Sequence, residues 1–142
     1  WRFANALNYP NFEDTNNLSL VTFLHYHDIH LIFPGDLEKS GWLALLKQPE
    51  FREELAKTNQ FIASHHGRIS GYCEDIFEYC KPQLIIISDE PKQYDTQEVD
   101  YIKHASGIKF GDHYRYVLTT RNDGMITISQ RPGEARQISH AK

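Results

Sequence analysis

The fold of this 142-residue chain is decided by the stretch LSLVTFLHYHDIHLIFPGD, residues 18–36. Two β-prone apolar runs, residues 18–26 and 29–33, lie on either side of the polar pair His27-Asp28. Such runs with a two-residue polar break predict two antiparallel strands joined by a tight hairpin. Proline and glycine then end the second strand and place an aspartate directly behind it.

Strands and helices are expected to alternate along the rest of the chain. Apolar periodicity predicts helices at residues 37–47, 49–55, 70–81 and 96–106. Short β-branched and aromatic runs predict strands at residues 61–64, 84–88, 114–120 and 125–130. Val99 and Ile102 are expected to face inward, and Asp123-Gly124 predicts a hairpin between the last two strands. This order indicates an α/β fold with a mixed β-sheet and flanking helices.

The composition is that of one globular domain. Hydrophobic residues make up 40% of the chain and charged residues 24%, and no apolar run approaches the roughly 18 residues that cross a bilayer. The formal net charge of −4 disfavours a dedicated nucleic-acid binding module, although a metal-dependent nuclease could act from a locally positive cleft.

The two cysteines are predicted to be buried and unpaired. Cys73 and Cys80 share a helical apolar stripe with Ile76 and Phe77. Two turns of one helix would hold the two thiols roughly 10 Å apart, too far for a mutual disulfide. Reduced thiols fit a cytoplasmic location.

Two strand ends carry side chains that could bind a metal ion. Gly35 lets the backbone turn sharply, which would leave the Asp36 carboxylate projecting, although Asp36 could instead cap the following helix. His65-His66 follows a second strand. Imidazole beside carboxylate suits a Zn, Fe or Mn site, whereas a histidine pair in a loop is also typical of a solvated surface. Side chains on extended backbone alternate in direction, so only one of the two histidines is expected to face a given ion.

A denser group of polar residues, His25, His27, Asp28 and His30, is a weaker candidate. On alternating strands, His25 and His27 share one face, and the hairpin turn comes before His30. We interpret this group as an ordinary hairpin whose polar tip meets solvent.

The motifs that follow one another along the chain are FPGDLE at residues 33–38, ASHHG at 63–67, an Ile-rich strand ending at Ser88, and TTRNDGMI at 119–126. In this order they resemble the C-terminal half of metallo-β-lactamase-fold hydrolases. The likeness is greatest to the branch that contains the hydrolase domain of the competence protein ComEC and its soluble relatives. It covers residues 16–129, between an irregular lead-in at residues 1–15 and a polar tail at residues 131–142, with the half-domain itself at 16–130.

The resemblance implies roles for a few residues. Asp36 would be a catalytic residue that bridges two divalent ions, normally Zn or Mn, and His65 would bind the second ion, with His66 as the substitute. Arg68 could contact a phosphate. The family's remaining ligands come from a His-x-His-x-Asp-His loop and a further histidine, all upstream of the matching region. This chain has no such motif before residue 16 and therefore holds two of the usual seven ligands.

Two departures from the family pattern affect substrate and partners. Relatives often carry a loop histidine after the Ile-rich strand, where this chain has Tyr94 and Asp95, which become candidate substrate-binding residues. The family fold is an αββα sandwich of two halves, so one half exposes the face that packs on the other. A missing N-terminal half or an oligomeric partner is therefore expected to cover this face.

These features lead to three functional hypotheses. The first is a fragment of a metal-dependent hydrolase that attacks phosphodiesters, including nucleic acid, through metal-activated water. The second is a hydrolase of a small ester, lactone or β-lactam on the same fold, which the acidic net charge favours. The third is a catalytically degenerate half-domain that acts as an interaction module. The complete protein is expected to be an enzyme and this part alone to be inactive.

Overall fold

The computed structural model describes residues 15–90 and 95–141. The strands in these ranges are β1 (Thr22–Tyr26), β2 (Ile29–Phe33), β3 (Gln60–Ile62), β4 (Leu84–Ile87), β5 (Ile108–Phe110), β6 (His113–Arg115), β7 (Val117–Thr119), β8 (Met125–Ser129) and β9 (Gln137–Ala141). The α-helices are α1 (Lys39–Leu45), α2 (Pro49–Ala56), α3 (Glu98–Ile102) and α4 (Thr120–Asp123). Short 3-10 segments lie at Thr15–Leu18, Ser64–Gly67, Ile69–Gly71 and Glu74–Glu78.

A five-stranded sheet of order β1-β2-β3-β4-β7 forms the centre of the part of the chain that the structure describes. β1 pairs with β2 in antiparallel fashion, and β2, β3, β4 and β7 run parallel to one another. The predicted α/β class and mixed sheet are therefore confirmed, and β2 has the predicted bounds. Because β2, β3 and β4 are parallel, their carboxyl ends meet at one edge, where polar loops can converge.

One face of the sheet packs against the helices. Trp42 from α1 and Phe51 from α2 are fully buried beside Phe61 of β3, and the ring centroids of Trp42 lie 6.3 Å and 5.9 Å from those of Phe51 and Phe61. Burying such a side chain stabilises a fold by about 1.5–3 kcal/mol. Cys73 and Cys80 belong to the same core and are free thiols, as predicted.

The other face is covered in part by two hairpins. β5-β6 and β8-β9 each form a two-stranded sheet, and their isoleucines and Phe110 pack on Leu84, Ile86 and Leu118. On the β1-β2 side of this face, Leu24, Tyr26 and Phe33 are exposed by 47%, 47% and 42%.

Polar contacts fasten the β8-β9 hairpin to the turn between β1 and β2. The Asp28 backbone N–H donates to Gln130 Oε1 at 3.1 Å, and Gln130 Nε2 donates to Asp28 Oδ2 at 2.9 Å. Arg136 Nη1 donates to the Asp28 carbonyl at 3.0 Å and another of its nitrogens donates to Gln83. The predicted hairpin is confirmed, and its tip residues His27 and Asp28 are exposed, as predicted.

The end of the chain differs from the prediction. The expected hairpin at Asp123-Gly124 is wrong: residues 120–123 form the one-turn helix α4, and Thr119 Oγ1 caps it by accepting from the Asn122 N–H at 3.0 Å. The buried Asp123 carboxylate accepts from Arg115 Nη2 at 2.8 Å and from the Thr119 N–H at 2.8 Å. β7 therefore stays in the main sheet, while β8 leaves it and pairs with β9, which lies in the expected tail.

Two helix predictions also need correction. The cysteine segment is not one α-helix but contains two 3-10 segments, Ile69–Gly71 and Glu74–Glu78. Only glycine fits at position 71, since a Cβ there would lie 2.6 Å from the Ser64 carbonyl oxygen. α3 turns Tyr101 inward, at 1% exposure, and leaves Val99 82% exposed and Ile102 42% exposed. The large ring takes the buried position, where its centroid lies 5.1 Å from that of Tyr72. The predicted lead-in lies outside the described residues except for residue 15.

Candidate functional site

Two loops meet at the carboxyl edge of the sheet, one after β2 and one after β3. The His65 backbone N–H donates to the Gly35 carbonyl at 3.0 Å. The buried Ser64 hydroxyl contacts the same carbonyl at 3.3 Å and donates to the carbonyl of Leu37. Ser19 Oγ accepts from the Asp36 N–H at 3.2 Å. These bonds hold the Gly-Asp turn and the His-His-Gly turn against each other.

The side chains that meet between these loops are those of Asp36 and His66. His66 Nε2 lies 3.6 Å from Asp36 Oδ1, and each side chain is 48% exposed. His66 Nδ1 lies 2.8 Å from the carbonyl oxygen of Ser88, at the end of β4. A carbonyl can only accept, so Nδ1 carries the proton of this bond. In the neutral ring, Nε2 then presents a lone pair to the carboxylate, and a cation between the two atoms would satisfy both.

This geometry fits two ligands of a single metal ion. Two ligand atoms bound about 2.0–2.1 Å from Zn²⁺ at a tetrahedral angle lie about 3.4 Å apart, close to the 3.6 Å found here. A ligating histidine ordinarily donates its other ring N–H to a carbonyl or carboxylate, as His66 does to Ser88. Within residues 15–90 and 95–141, no group of three or more His, Cys, Asp or Glu side chains could hold a metal ion. The pair therefore needs further ligands from elsewhere.

His65, which the resemblance favoured as the ligand, contacts other groups. Its Nδ1 lies 3.2 Å from Glu38 Oε1 and 2.9 Å from Ser70 Oγ, and its Nε2 lies 3.3 Å from Arg68 Nη1. The guanidinium can only donate, so Nε2 accepts and Nδ1 is the protonated nitrogen, with Ser70 Oγ as its hydrogen-bond partner and the Glu38 carboxylate beside it. It is the substitute, His66, that lies beside Asp36.

The backbone of the His-His-Gly turn is left-handed. His65 has φ 48° and ψ 47°, His66 has φ 56° and ψ 26°, and Gly67 follows with φ 75°. Left-handed backbone costs a non-glycine residue roughly 1–2 kcal/mol. Such conformations persist where the surroundings enforce them, and they cluster at functional sites. The prediction that only one of the two histidines faces a given ion assumed extended backbone, which these two residues do not have. Their side chains nevertheless point in different directions.

The loop after β4 completes the site by presenting the Ser88 carbonyl. The Asp89 N–H donates to Thr120 Oγ1 at 2.8 Å, and that hydroxyl donates back to the Asp89 carbonyl at 2.7 Å. The Asp89 carboxylate pairs with Arg121, whose Nε donates to the Glu90 carbonyl at 3.0 Å. Sequence reasoning missed Asp89, Thr120, Arg121 and Glu38 because each acts through a partner distant in sequence, and it missed Ser70, whose partner His65 lies five residues away.

The predicted substrate-binding residues have different surroundings. Arg68 is half-buried and contacts His65, so its guanidinium is already used inside the loop. Asp95 is exposed. Tyr94 lies outside the described residues. Their roles in binding substrate stay predictions.

A cleft of about 200 Å³ opens beside Asp36 and His66. Phe33, Ile62 and Ser88 separate it from a larger groove of about 450 Å³, which they also line. The larger groove continues between the uncovered side of the sheet and β8 and has mainly aliphatic walls. An apolar groove thus lies next to the cleft that holds the polar pair.

The histidines of the β1-β2 hairpin form no comparable site. His25 and His30 face each other across the strands with ring centroids 4.7 Å apart, and His25 Nε2 lies 3.4 Å from Glu54 Oε2 of α2. Glu54 also pairs with Lys57. This is a partly exposed charge cluster, in agreement with the interpretation as an ordinary hairpin.

No family model matches the chain, and neither curated proteins nor solved structures give a significant match. Among the described residues, no helix is both long and apolar enough to span a bilayer.

Proposed function

We propose that this chain is the C-terminal half of a metal-dependent hydrolase of the metallo-β-lactamase fold, in which Asp36 and His66 are metal ligands. The observation that carries the proposal is the pair itself: His66 Nε2 faces Asp36 Oδ1 at 3.6 Å, while Ser88 holds the opposite ring nitrogen. With the His66 ring neutral, two acceptors face each other, an arrangement that a cation between them makes favourable.

The uncovered side of the sheet supports the assignment to one half of a sandwich. Leu24, Tyr26 and Phe33 are 42–47% exposed on the side opposite the helices. A contiguous apolar surface of this kind is typical of an interaction face. An N-terminal half, or a partner chain in its place, would cover it and supply the remaining ligands.

Each residue at the site has a defined task in this scheme. Asp36 contributes carboxylate oxygens, and His66 contributes Nε2. Ser88 fixes the tautomer of the His66 ring through its carbonyl, and the left-handed turn aims the ring. When bound, a divalent metal supplies a nucleophilic water at neutral pH and offsets the charge that develops during an in-line displacement.

Phosphodiesters are the first substrate class to test, because the resemblance is to a branch with that activity. Small esters or lactones are a second class, favoured by the apolar groove that shares Phe33 and Ile62 with the cleft. Such a groove would receive an alkyl or aryl substituent rather than a second phosphate.

The test uses the protein expressed with its upstream coding sequence, Mn²⁺ or Zn²⁺, and a substrate panel of bis-p-nitrophenyl phosphate, single-stranded DNA and lactones. Asp36→Ala and His66→Ala should each reduce turnover at least ~100-fold, since outer-shell changes alone typically cost 10–100-fold. The matched control is His25→Ala, which removes a histidine that pairs with a glutamate away from the cleft. Unchanged turnover in Asp36→Ala would refute the proposal, and lactone-only turnover would select the second substrate class.

A further inference from the structure

We infer that Glu38 and His65 form a positioning pair that aims His66, and that His65 is not itself a metal ligand. The inference deepens the proposed metal centre and rests on it for catalytic meaning. The contact between the Glu38 and His65 side chains is 15–19% exposed, in contrast to the half-exposed Asp36–His66 pair. The two histidines are adjacent in sequence, but His65 contacts Glu38 whereas His66 contacts Asp36.

Both ring nitrogens of His65 have partners inside the loop. Nδ1 lies 3.2 Å from Glu38 Oε1, and Nε2 accepts from Arg68. Ser70 Oγ contacts Nδ1 at 2.9 Å and adds a further constraint on the ring. A metal ion that binds His65 would have to displace the Glu38 carboxylate from Nδ1 or the Arg68 guanidinium from Nε2. On His66, Nε2 faces the Asp36 carboxylate, which could bind the same ion.

The turn backbone links the two histidines mechanically. A Cβ at Gly71 would lie 2.8 Å from the His65 Cβ and 2.6 Å from the Ser64 carbonyl, so neighbouring chain packs tightly on this turn. A Cβ at Gly67 would lie 2.9 Å from Ile87 Cγ2. With both sides confined, the left-handed backbone that holds His65 also sets the direction of the next side chain, His66.

Glu38 is itself held at a fixed point of the fold. Its backbone N–H donates to Asn17 Oδ1 at 3.2 Å, and Asn17 is 2% exposed. The Asn16 amide donates to Glu38 Oε1 at 3.4 Å. Polar contacts therefore connect the start of α1 through Glu38 to His65, and the backbone of the turn connects His65 to His66.

The test is the tautomer of His66, read from long-range proton–nitrogen correlations of the ¹⁵N-labelled chain without metal. Measured at about pH 8, the wild-type His66 ring should be a single Nδ1–H tautomer because that proton is held by Ser88. Glu38→Ala should release the turn, and His66 should then exchange between tautomers. Glu38→Gln keeps an acceptor oxygen for His65 and should keep the single tautomer.

The matched control is Glu54→Ala, which breaks the contact with His25 and should leave His66 unchanged. Zn²⁺ titrated into the same samples should bind roughly 10–100-fold more weakly to Glu38→Ala than to the wild type, the usual loss for an outer-shell change. A rescue by glutamine separates positioning from a general loss of structure.

A folded Glu38→Ala variant that keeps the single His66 tautomer would overturn the inference, as would a wild-type His66 that is not the Nδ1–H form. Should Glu38→Ala fail to fold, His65→Asn gives the same readout, because asparagine tolerates left-handed backbone and lacks the ring. Retention of the single His66 tautomer in that variant would also overturn the inference. Failure of Zn²⁺ to shift the His66 resonances in the protein expressed with its upstream coding sequence would refute the metal centre alone.

Discussion

Replacing Asn17 by alanine should destabilise the protein by roughly 2–4 kcal/mol. Asn17 is 2% exposed, and its Oδ1 accepts from the N–H groups of Glu38 at 3.2 Å and Gly41 at 2.9 Å, at the start of α1. Loss of a helix cap costs about 1 kcal/mol, and a buried N–H left without an acceptor costs about 1–3 kcal/mol. Since ~1.4 kcal/mol is tenfold, the folded-to-unfolded ratio should fall roughly 30- to 1,000-fold.

The measurement is urea unfolding followed by tryptophan fluorescence, since Trp42 is fully buried beside this cap. Asn16→Ala is the matched control: it removes the same amide from the adjacent position, where the contact is a longer one of 3.4 Å to Glu38. Asn17→Asp retains an acceptor oxygen and should recover part of the loss. Equal midpoints for Asn17→Ala and Asn16→Ala, at the same slope, would show that the capping argument is wrong.

Two further outcomes follow from buried titratable groups. Burial raises the pKa of Cys73 to about 11 and that of Cys80 to about 12, so near pH 8 only about one thiol in a thousand or fewer is a thiolate. Mass spectrometry should therefore show no iodoacetamide adduct on the folded protein and two adducts after unfolding. Rapid labelling of the folded protein would contradict this prediction. Burial, followed by the charge of Lys103, lowers the pKa of His104 below 6.5, so the unfolded chain binds the proton more readily. The free energy of unfolding should therefore be highest above pH 6.5 and fall as the pH drops below it. In His104→Phe, the urea midpoint should change less between pH 8 and pH 5 than in the wild type. An unchanged pH dependence of the midpoint would show that His104 is not its cause.

The central strands of the main sheet were predictable because continuously buried strands are apolar along their whole length, whereas β5 and β9 were not predicted. Leu84–Ile87 is buried on both faces and has no polar residue, and β2 ends at the glycine turn that the sequence marks. The elements that failed depend on partners elsewhere. Asp123-Gly124 favours a hairpin locally, but the carboxylate is drawn to Arg115 and to the Thr119 N–H, which turns the segment into α4.

The candidate site was predictable to the level of its motifs. The Gly-Asp and His-His-Gly motifs identified which loops would converge, and Asp36 does lie beside a histidine. The choice between His65 and His66 depends on three features that no local pattern records: left-handed backbone at both residues, the Ser88 carbonyl, and the side chain of Glu38.

The attachment of Gln130 and Arg136 to Asp28 also bears on how the chain folds. These contacts join residues 102 and 108 positions apart, so the loop that closes them spans most of the chain. Non-local pairings of this length slow folding, because the entropy of closure is lost before the contacts form. During synthesis the β1-β2 turn can make these contacts only after residue 136 has left the ribosome, and until then the aliphatic surface beneath β8 is open to chaperones and to aggregation.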